Sequence, residues 1–334
     1  MPEREEFGAA LAPGVRLEGA RGEYELVRVL GQGGFGITYA AVRTYDGVPA
    51  AIKEYYPSHC AERSGELVRA HPGWEEDYAR RLERFTEEGR TLLALNSVAS
   101  VVRALDAFEM NGTAYLVMEY LDGVPLFKKA ESLGGRIPPE LLLPAMRPLI
   151  RDLDTIHALG LLHRDIAPDN IMWMPDGTLK LIDFGSARTI SSQKKTVLLK
   201  PGFAPVEQYL SDGREQGPWT DIYSLCATIY YLLSGVYPPA SQERLMQAGA
   251  AGQAEGELES LIKLGVALTP EEDAAISHGM AVQPRQRTRS AMELERELYG
   301  EQFTGSVYEV EPTPEPERRL SLLARILDFL GFGR

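Results

Sequence analysis

His163-Arg164-Asp165-Ile166-Ala167-Pro168-Asp169-Asn170 and, thirteen positions on (183 − 170), Asp183-Phe184-Gly185 form the stretch on which the reading of this chain turns. The first segment follows a helical pattern and precedes a short strand-like run, Ile171 to Trp173. It is therefore a polar loop held between ordered elements, a setting that carries function more often than packing. The second ends another strand, Leu181-Ile182. Asp165 is placed to receive a proton from an acceptor hydroxyl, and Asn170 and Asp183 offer the hard oxygen ligands that magnesium prefers.

Upstream, Gly31-Gln32-Gly33-Gly34-Phe35-Gly36 lies between two strand-like runs. Glycines there let a hairpin backbone approach phosphates and point amides at them. A dinucleotide-binding turn would need a helix directly after the glycines, and here a strand follows. Next comes Ala51-Ile52-Lys53, a lysine among apolar neighbours that needs an anionic partner. Glu88, beside the inward stripe Phe85, Leu92 and Leu95, is the candidate, with Glu87 the alternative. Glycine loop, lysine, Asp165-Asn170 and Asp183 in this order are the parts that phosphoryl transfer from ATP requires.

Around these motifs the periodicity divides the chain. From Tyr24 to Met118 short β-type runs (Glu25 to Leu30, Ile37 to Val42, Pro49 to Lys53, Val101 to Phe108, Ala114 to Met118) surround one long helical pattern, Trp74 to Leu95. After Asp122-Gly123 helical spacing dominates, in Pro139 to Leu159, Asp221 to Leu233, Glu271 to Met280 and Ser290 to Leu298. The class is α+β. A Pro/Glu-rich linker over 301–317 follows, and then an amphipathic tail helix over 318–334 with Leu320, Leu323, Ile326, Leu327 and Leu330 on one face.

The 334 residues, 44% of them apolar, suffice for a sizeable core, and a formal charge of −13 argues against nucleic-acid binding through phosphate neutralisation. Cys60 and Cys226 form no disulfide framework, which fits a reducing compartment, with the cytoplasm as the expected location. The first residues lack the apolar core of a signal peptide, and no run approaches the ~18 apolar residues of a membrane span.

With these motifs in this order, the chain resembles the protein-kinase superfamily, specifically the bacterial serine/threonine kinases similar to those of eukaryotes. The resemblance covers roughly Tyr24 to Leu298 and implies a two-lobed fold with ATP in the cleft: an extension over 1–23, then a kinase domain over 24–300, its N-lobe about 24–121 and its C-lobe about 122–300. It implies Lys53 on the α/β phosphates and paired with Glu88, Asp165 as catalytic base, and Asn170 and Asp183 on Mg2+. Leu30, Thr38, Ala51 and Met172 would enclose adenine, with Met118 as gatekeeper and Glu119 to Leu121 as hinge. Gly31, Gln32, Gly33, Gly34, Phe35 and Gly36 would cover the phosphates. Pro205-Val206-Glu207 stands at the Ala-Pro-Glu position, Asp221 at that of the aspartate bracing the catalytic loop, and Arg287 at that of the arginine pairing with Glu207. The implied activity is transfer of the γ-phosphate of ATP to Ser/Thr hydroxyls of proteins. Autophosphorylation would fall on Thr189, Ser191, Ser192 or Thr196, amid Arg188, Lys194 and Lys195, and Arg164 would grip the phosphate.

Two departures stand out. The lysine expected two positions after the catalytic aspartate is Ala167, and the threonine expected shortly before the Ala-Pro-Glu position is Lys200. Lys200 either reaches back toward Asp165 and the γ-phosphate and restores the missing charge or is an ordinary surface lysine. Because of Ala167, tyrosine as acceptor stays open. Lys53 and Glu88 are 35 positions apart (88 − 53), more than the family spacing, so an insertion lies around Tyr55 to Tyr78. It carries His59, Cys60 and His71, whose spacing is not diagnostic of a metal site, and surface packing is expected instead. The tail helix, with Arg318, Arg319 and Arg325 offset by Asp328, suits protein contact or docking on the kinase better than weak contact with a membrane. A nucleotide-binding scaffold without turnover and a small-molecule phosphotransferase are the competing readings. Retention of all five reactive residues opposes the first, and Arg164 with Pro205 to Glu207 opposes the second.

Overall fold

The computed structural model describes residues 9–34, 36–189, 199–209, 216–251 and 256–300. Phe35, Ser191, Ser192, Lys194, Lys195 and Thr196, the linker over 301–317 and the tail helix with Arg318, Arg319, Arg325 and Asp328 lie outside them, as do the side chains of Arg188 and Thr189. The chain divides into two compact units. One holds Val102–Leu121 and the chain up to Ser97; the other holds Val98–Val101 and the chain from Asp122.

The first unit is built on strands β1 (Arg16–Gly19), β2 (Gly22–Gly33), β3 (Gly36–Arg43) and β4 (Pro49–Tyr55), the hairpin β5 (Ala61–Ser64) and β6 (Leu67–Ala70), helix α1 (Glu75–Ala94), and strands β7 (Ala104–Met110) and β8 (Thr113–Glu119). Six strands form one antiparallel sheet in the order β1-β2-β3-β4-β8-β7, and β5-β6 pair separately. Every strand expected from the alternation is present, with ends shifted by a few residues. Residues 9–21, set apart by the sequence as an extension, join this unit: β1 pairs with β2, and Leu11 and Leu17 are buried. Four residues of strand are too short to register as alternation. The insertion after Lys53 folds as the β5-β6 hairpin, closed at Gly65 with φ +61°.

Helix α1 begins with Glu75, Glu76 and Asp77, carboxylates that complement the positive end of the helix dipole. Its buried residues, Tyr78, Phe85, Glu88, Gly89 and Leu92, recur at helical spacing and face β7 and β8. Gly89 is there because a Cβ would come 3.1 Å from that of Ala107 on β7.

The second unit contains β9 (Val124–Pro125), α2 (Leu126–Ser132), α3 (Pro139–Ala158), β10 (Leu161–Leu162), β11 (Ile171–Trp173), β12 (Leu179–Leu181), β13 (Arg188–Thr189), α4 (Val206–Tyr209), α5 (Pro218–Ser234), α6 (Ser241–Ala251), α7 (Pro270–Gly279) and α8 (Ala291–Tyr299). Helix α3 runs unbroken past Pro144 and Pro148, although an interior proline costs about 3 kcal/mol. Burial of Leu142, Leu143, Met146, Leu149, Ile150, Leu153 and Ile156 offsets this, at about 1.5–3 kcal/mol for each large apolar side chain. Helix α5 is buried nearly all round, from Thr220 to Tyr230 and again at Leu232 and Leu233, and so forms the centre of the unit. It ends at Gly235, whose φ of +75° closes the last turn. Helices α2, α4 and α6 carry too little apolar periodicity to be seen in the sequence.

Candidate active site

In the first unit, side-chain alternation sorts β4: Ala51, Lys53 and Tyr55 share one face. Register carries that face across the sheet, because Thr38 pairs with Lys53 and Ala51 with Met118. Thr38, Ala51, Lys53 and Met118 thus form one patch of partly exposed side chains. Leu30 sits in a β-bulge between Val29 and Gly31, which leaves it unpaired and 38% exposed. Glu119 is tied by its backbone amide to the Arg103 carbonyl at 2.9 Å, and Leu121 ends the unit.

Lys53 Nζ lies 2.9 Å from Glu88 Oε1, with the Glu88 side chain only 6% exposed. Helix α1 therefore selects Glu88 over Glu87, whose backbone carbonyl is bonded by Thr91 one turn on. Phe85 flanks the ammonium, its ring centroid 5.8 Å from Nζ. The glycines of the loop divide by role. A Cβ on Gly31, Gly33 or Gly34 would meet nothing within 4 Å, whereas one on Gly36 would fall 2.4 Å from the Glu54 carbonyl oxygen. Gly36 is thus required by strand packing, and the other three leave a backbone open to a ligand. Gln32 lies between them, exposed.

In the second unit the loop from His163 to Asn170 bridges β10 and β11 around one buried acid. Asp221 accepts from the His163 amide at 2.8 Å and the Arg164 amide at 2.7 Å, and His157 Nε2 lies 2.9 Å from it. Burial pushes its carboxyl up, but the hydrogen bond and charge of His157, with His163 and the Arg164 amide, hold it below the usual range. Those contacts keep Arg164 at φ +67°, a left-handed conformation that costs about 1 kcal/mol or more outside glycine. Asp183 is held likewise at φ +63°, its carboxylate accepting from the Gly185 amide at 3.2 Å. Phe184 is buried against the His163 ring, 4.6 Å between centroids. Burial pushes His163 below its ordinary pKa.

Asp165 and Asn170 face each other. Asn170 Nδ2 donates at 2.8 Å to both the carboxylate and the backbone carbonyl of Asp165, while Asn170 Oδ1 makes no hydrogen bond among the described residues. Lys200 Nζ stands between two carboxylates, 3.3 Å from Asp165 Oδ1 and 2.8 Å from Asp169 Oδ1. Burial raises the Asp165 carboxyl above its ordinary range, opposed first by Lys200 and then by His163. Ala167 is buried and offers no charge. Met172 on β11 pairs with Lys180 and Pro125.

Behind this loop, Glu207 and Arg287 form a fully buried pair, Nη1 to Oε1 2.6 Å and Nη2 to Oε2 3.3 Å. Arg287 also donates to the carbonyls of Ala281, Trp219 and Val282, so its fork is satisfied. Gln208 Nε2 donates to the Arg164 carbonyl at 2.8 Å and joins the two segments. Asp169, Gln208 and His157 carry no signal in the sequence, since nothing in their spacing separates them from ordinary polar residues. In the insertion, His59, Cys60 and Asp77 approach one another within 4.8 Å, and His71 is not part of that group.

Each unit offers its own chemistry. In the second, Asp165 presents a carboxylate beside a cation, and Asn170 Oδ1 and the Asp183 carboxylate are hard oxygen donors suited to a divalent ion; in the first, Lys53 is a cation fixed by Glu88 on the sheet that carries the open glycine loop. The model of the protein kinase domain matches residues 24–281. Serine/threonine-protein kinase PknA of Mycobacterium tuberculosis is 32% identical over 236 residues, 68% of this chain and 50% of its own length. Serine/threonine-protein kinase F of Synechocystis is 30% identical over 233 residues, 64% of this chain and 44% of its own length. The chain thus spans about half the length of these relatives. A solved structure described as the apo form of PpkA-294 is 31% identical and superposes with a TM-score of 0.74 over 87% of this chain and all of that one. Motif order, the geometry around Asp165 and the match over residues 24–281 agree, and the chain belongs to the protein kinase domain family.

Proposed function

We propose that this chain is an ATP-dependent protein kinase that transfers the γ-phosphate to serine or threonine hydroxyls. The observation that carries the reading is Asp165, oriented by Asn170 at 2.8 Å and held beside Lys200 at 3.3 Å, in a loop braced by buried Asp221. Asp165 accepts the proton of the acceptor hydroxyl as the hydroxyl oxygen bonds to the γ-phosphorus, while the bond from that phosphorus to the β–γ bridging oxygen breaks and ADP leaves. Lys53, aligned by Glu88, holds the α/β phosphates, and Gly31, Gln32, Gly33 and Gly34 supply backbone amides over them. Leu30, Thr38, Ala51 and Met118 of the first unit would contact the adenine and the Glu119 to Leu121 backbone would take its polar edge, while Met172 is the second unit's candidate for the same base. Asn170 and Asp183 would hold Mg2+, which neutralises phosphate charge when bound.

Lys200 supplies the positive charge that Ala167 lacks. Its position between Asp165 and Asp169 supports this, because from there the ammonium can hold both the base and a transferring phosphate. Substrates are proteins, and the segment carrying Thr189, Ser191, Ser192 and Thr196 is the expected autophosphorylation site, with Arg164 as its anchor. Free, buried Cys60 and Cys226 support a reducing compartment such as the cytoplasm. Among the described residues no helix is long and apolar enough to cross a membrane.

The test is phosphate transfer from radiolabelled ATP with Mg2+, to the chain itself and to a serine/threonine peptide mixture, against Asp165→Asn and Asp183→Asn. Transfer that survives either substitution, or nucleotide binding with no transfer by the unaltered chain, would refute the assignment.

A further inference from the structure

Glu54 follows Lys53 on β4, and alternation turns it to the opposite face of the sheet. It is 0% exposed. Three donors converge on its carboxylate: Tyr39 Oη at 2.7 Å, Tyr115 Oη at 2.8 Å and Arg63 Nη2 at 2.6 Å. Burial, reinforced by Glu54 itself, pushes both phenols far above their ordinary range, so they remain donors at any working pH.

Arg63 belongs to β5 of the insertion, and it is a hub. Its Nε donates to the Ala9 carbonyl at 2.6 Å and its Nη1 to the Glu66 carbonyl at 3.1 Å, with the guanidinium 5.0 Å from the Tyr56 ring centre. The Leu11 amide in turn donates to Tyr39 Oη at 3.1 Å. The chain at Ala9 to Leu11, the β5-β6 hairpin, β3 and β8 are thereby tied to one carboxylate in the strand that carries the lysine.

A buried ion pair is a poor source of stability, since apolar side chains of the same volume do as well or better. What it provides is direction, because each donor accepts only a narrow geometry. A lysine that must meet phosphates within about 0.5 Å needs neighbours locked in this way. We propose that Glu54 and Arg63 are positioning residues for Lys53, and that the insertion is the brace that delivers Arg63. Helix α1 sets Lys53 from one face of β4 through Glu88, and the hairpin sets it from the other. This inference rests on the kinase reading for its kinetic consequence, but nucleotide affinity tests it without turnover.

The full chain is compared with Arg63→Met, which keeps the length of the side chain, with Arg63→Lys, and with Arg69→Ala, an exposed position on the same hairpin. The readouts are affinity for a fluorescent ATP analogue with Mg2+, KM for ATP and kcat on a serine/threonine peptide, melting temperature, and hydrogen exchange over Pro49–Tyr55. Displacements on the order of 1 Å cost about a hundredfold in rate. Arg63→Met is therefore expected to weaken nucleotide binding and raise KM about tenfold, to lower kcat, and to speed exchange in β4. Arg63→Lys should recover part of this, and Arg69→Ala should match the unaltered chain.

A folded Arg63→Met with unaltered affinity and KM overturns the proposal, even if its melting temperature falls, because that would be stability alone. If Arg63→Met does not fold, Tyr39→Phe and Tyr115→Phe each remove one hydroxyl from Glu54, and unchanged affinity in both is equally fatal. A chain that binds nucleotide without transferring phosphate defeats the kinase reading while the affinity comparison still decides the brace. If the unaltered chain binds no nucleotide, the positioning role falls with it, and β4 exchange reports only packing.

Discussion

Lys200→Ala removes a cation that stands 3.3 Å from Asp165 and 2.8 Å from Asp169. At 3.3 Å, unit charges interact by about 5 kcal/mol at an effective dielectric of about 20 and by about 1.3 kcal/mol in water. The Lys200 side chain is 31% exposed and that of Asp165 19%, so the value lies between these limits. Loss of one preorganised donor aimed at developing charge costs about 2.7–4 kcal/mol, a factor of roughly 10²–10³ in kcat, and the lower end fits this exposure. kcat should therefore fall about a hundredfold while KM for ATP moves much less, since Lys53 and the glycine loop are untouched. The pH profile supplies an independent sign. Burial raises the Asp165 carboxyl and Lys200 pulls it down, so without Lys200 it rises further. The acidic limb of kcat/KM, where the base becomes protonated, must then move to higher pH. Initial rates of peptide phosphorylation from about pH 5.5 to pH 9 would measure both effects. A variant within threefold of the unaltered rate, or with an unmoved acidic limb, would show Lys200 to be a bystander.

Two further perturbations separate catalysis from packing. Gly34→Ala meets open space and should leave the melting temperature unchanged while raising KM for ATP, whereas Gly36→Ala places a Cβ 2.4 Å from the Glu54 carbonyl and should destabilise the sheet, which thermal denaturation of the pair would resolve. Arg287→Ala strands Glu207 in a site where both side chains are fully buried, and should cost about 3–5 kcal/mol in urea unfolding of the second unit. Equal stability would mean that Glu207 finds other compensation.

The resemblance of the ordered motifs, and the periodicities of Trp74 to Leu95 and Pro139 to Leu159, were legible in the sequence because those signals are local. Glycines between strands, a lysine in an apolar run and acids in polar loops keep their meaning wherever the chain goes. Partnerships were not local. Glu88 and Glu87 are adjacent, and only the rotation of α1 against β7 and β8 turns Glu88 onto Lys53. Lys200 and Asp169 are 31 positions apart, and Asp169 carried no mark in the sequence until the fold set its carboxylate against the ammonium. Glu54 looked like an ordinary charge after a motif lysine. Its burial depends on Tyr39, Tyr115 and Arg63, which meet only when β3, β8 and the insertion close around β4. Family membership and the candidate reactive residues were readable from residue types in order, because reaction chemistry demands particular side chains in a particular order. Tertiary structure alone decided which charges neutralise one another, because that depends on distance and desolvation.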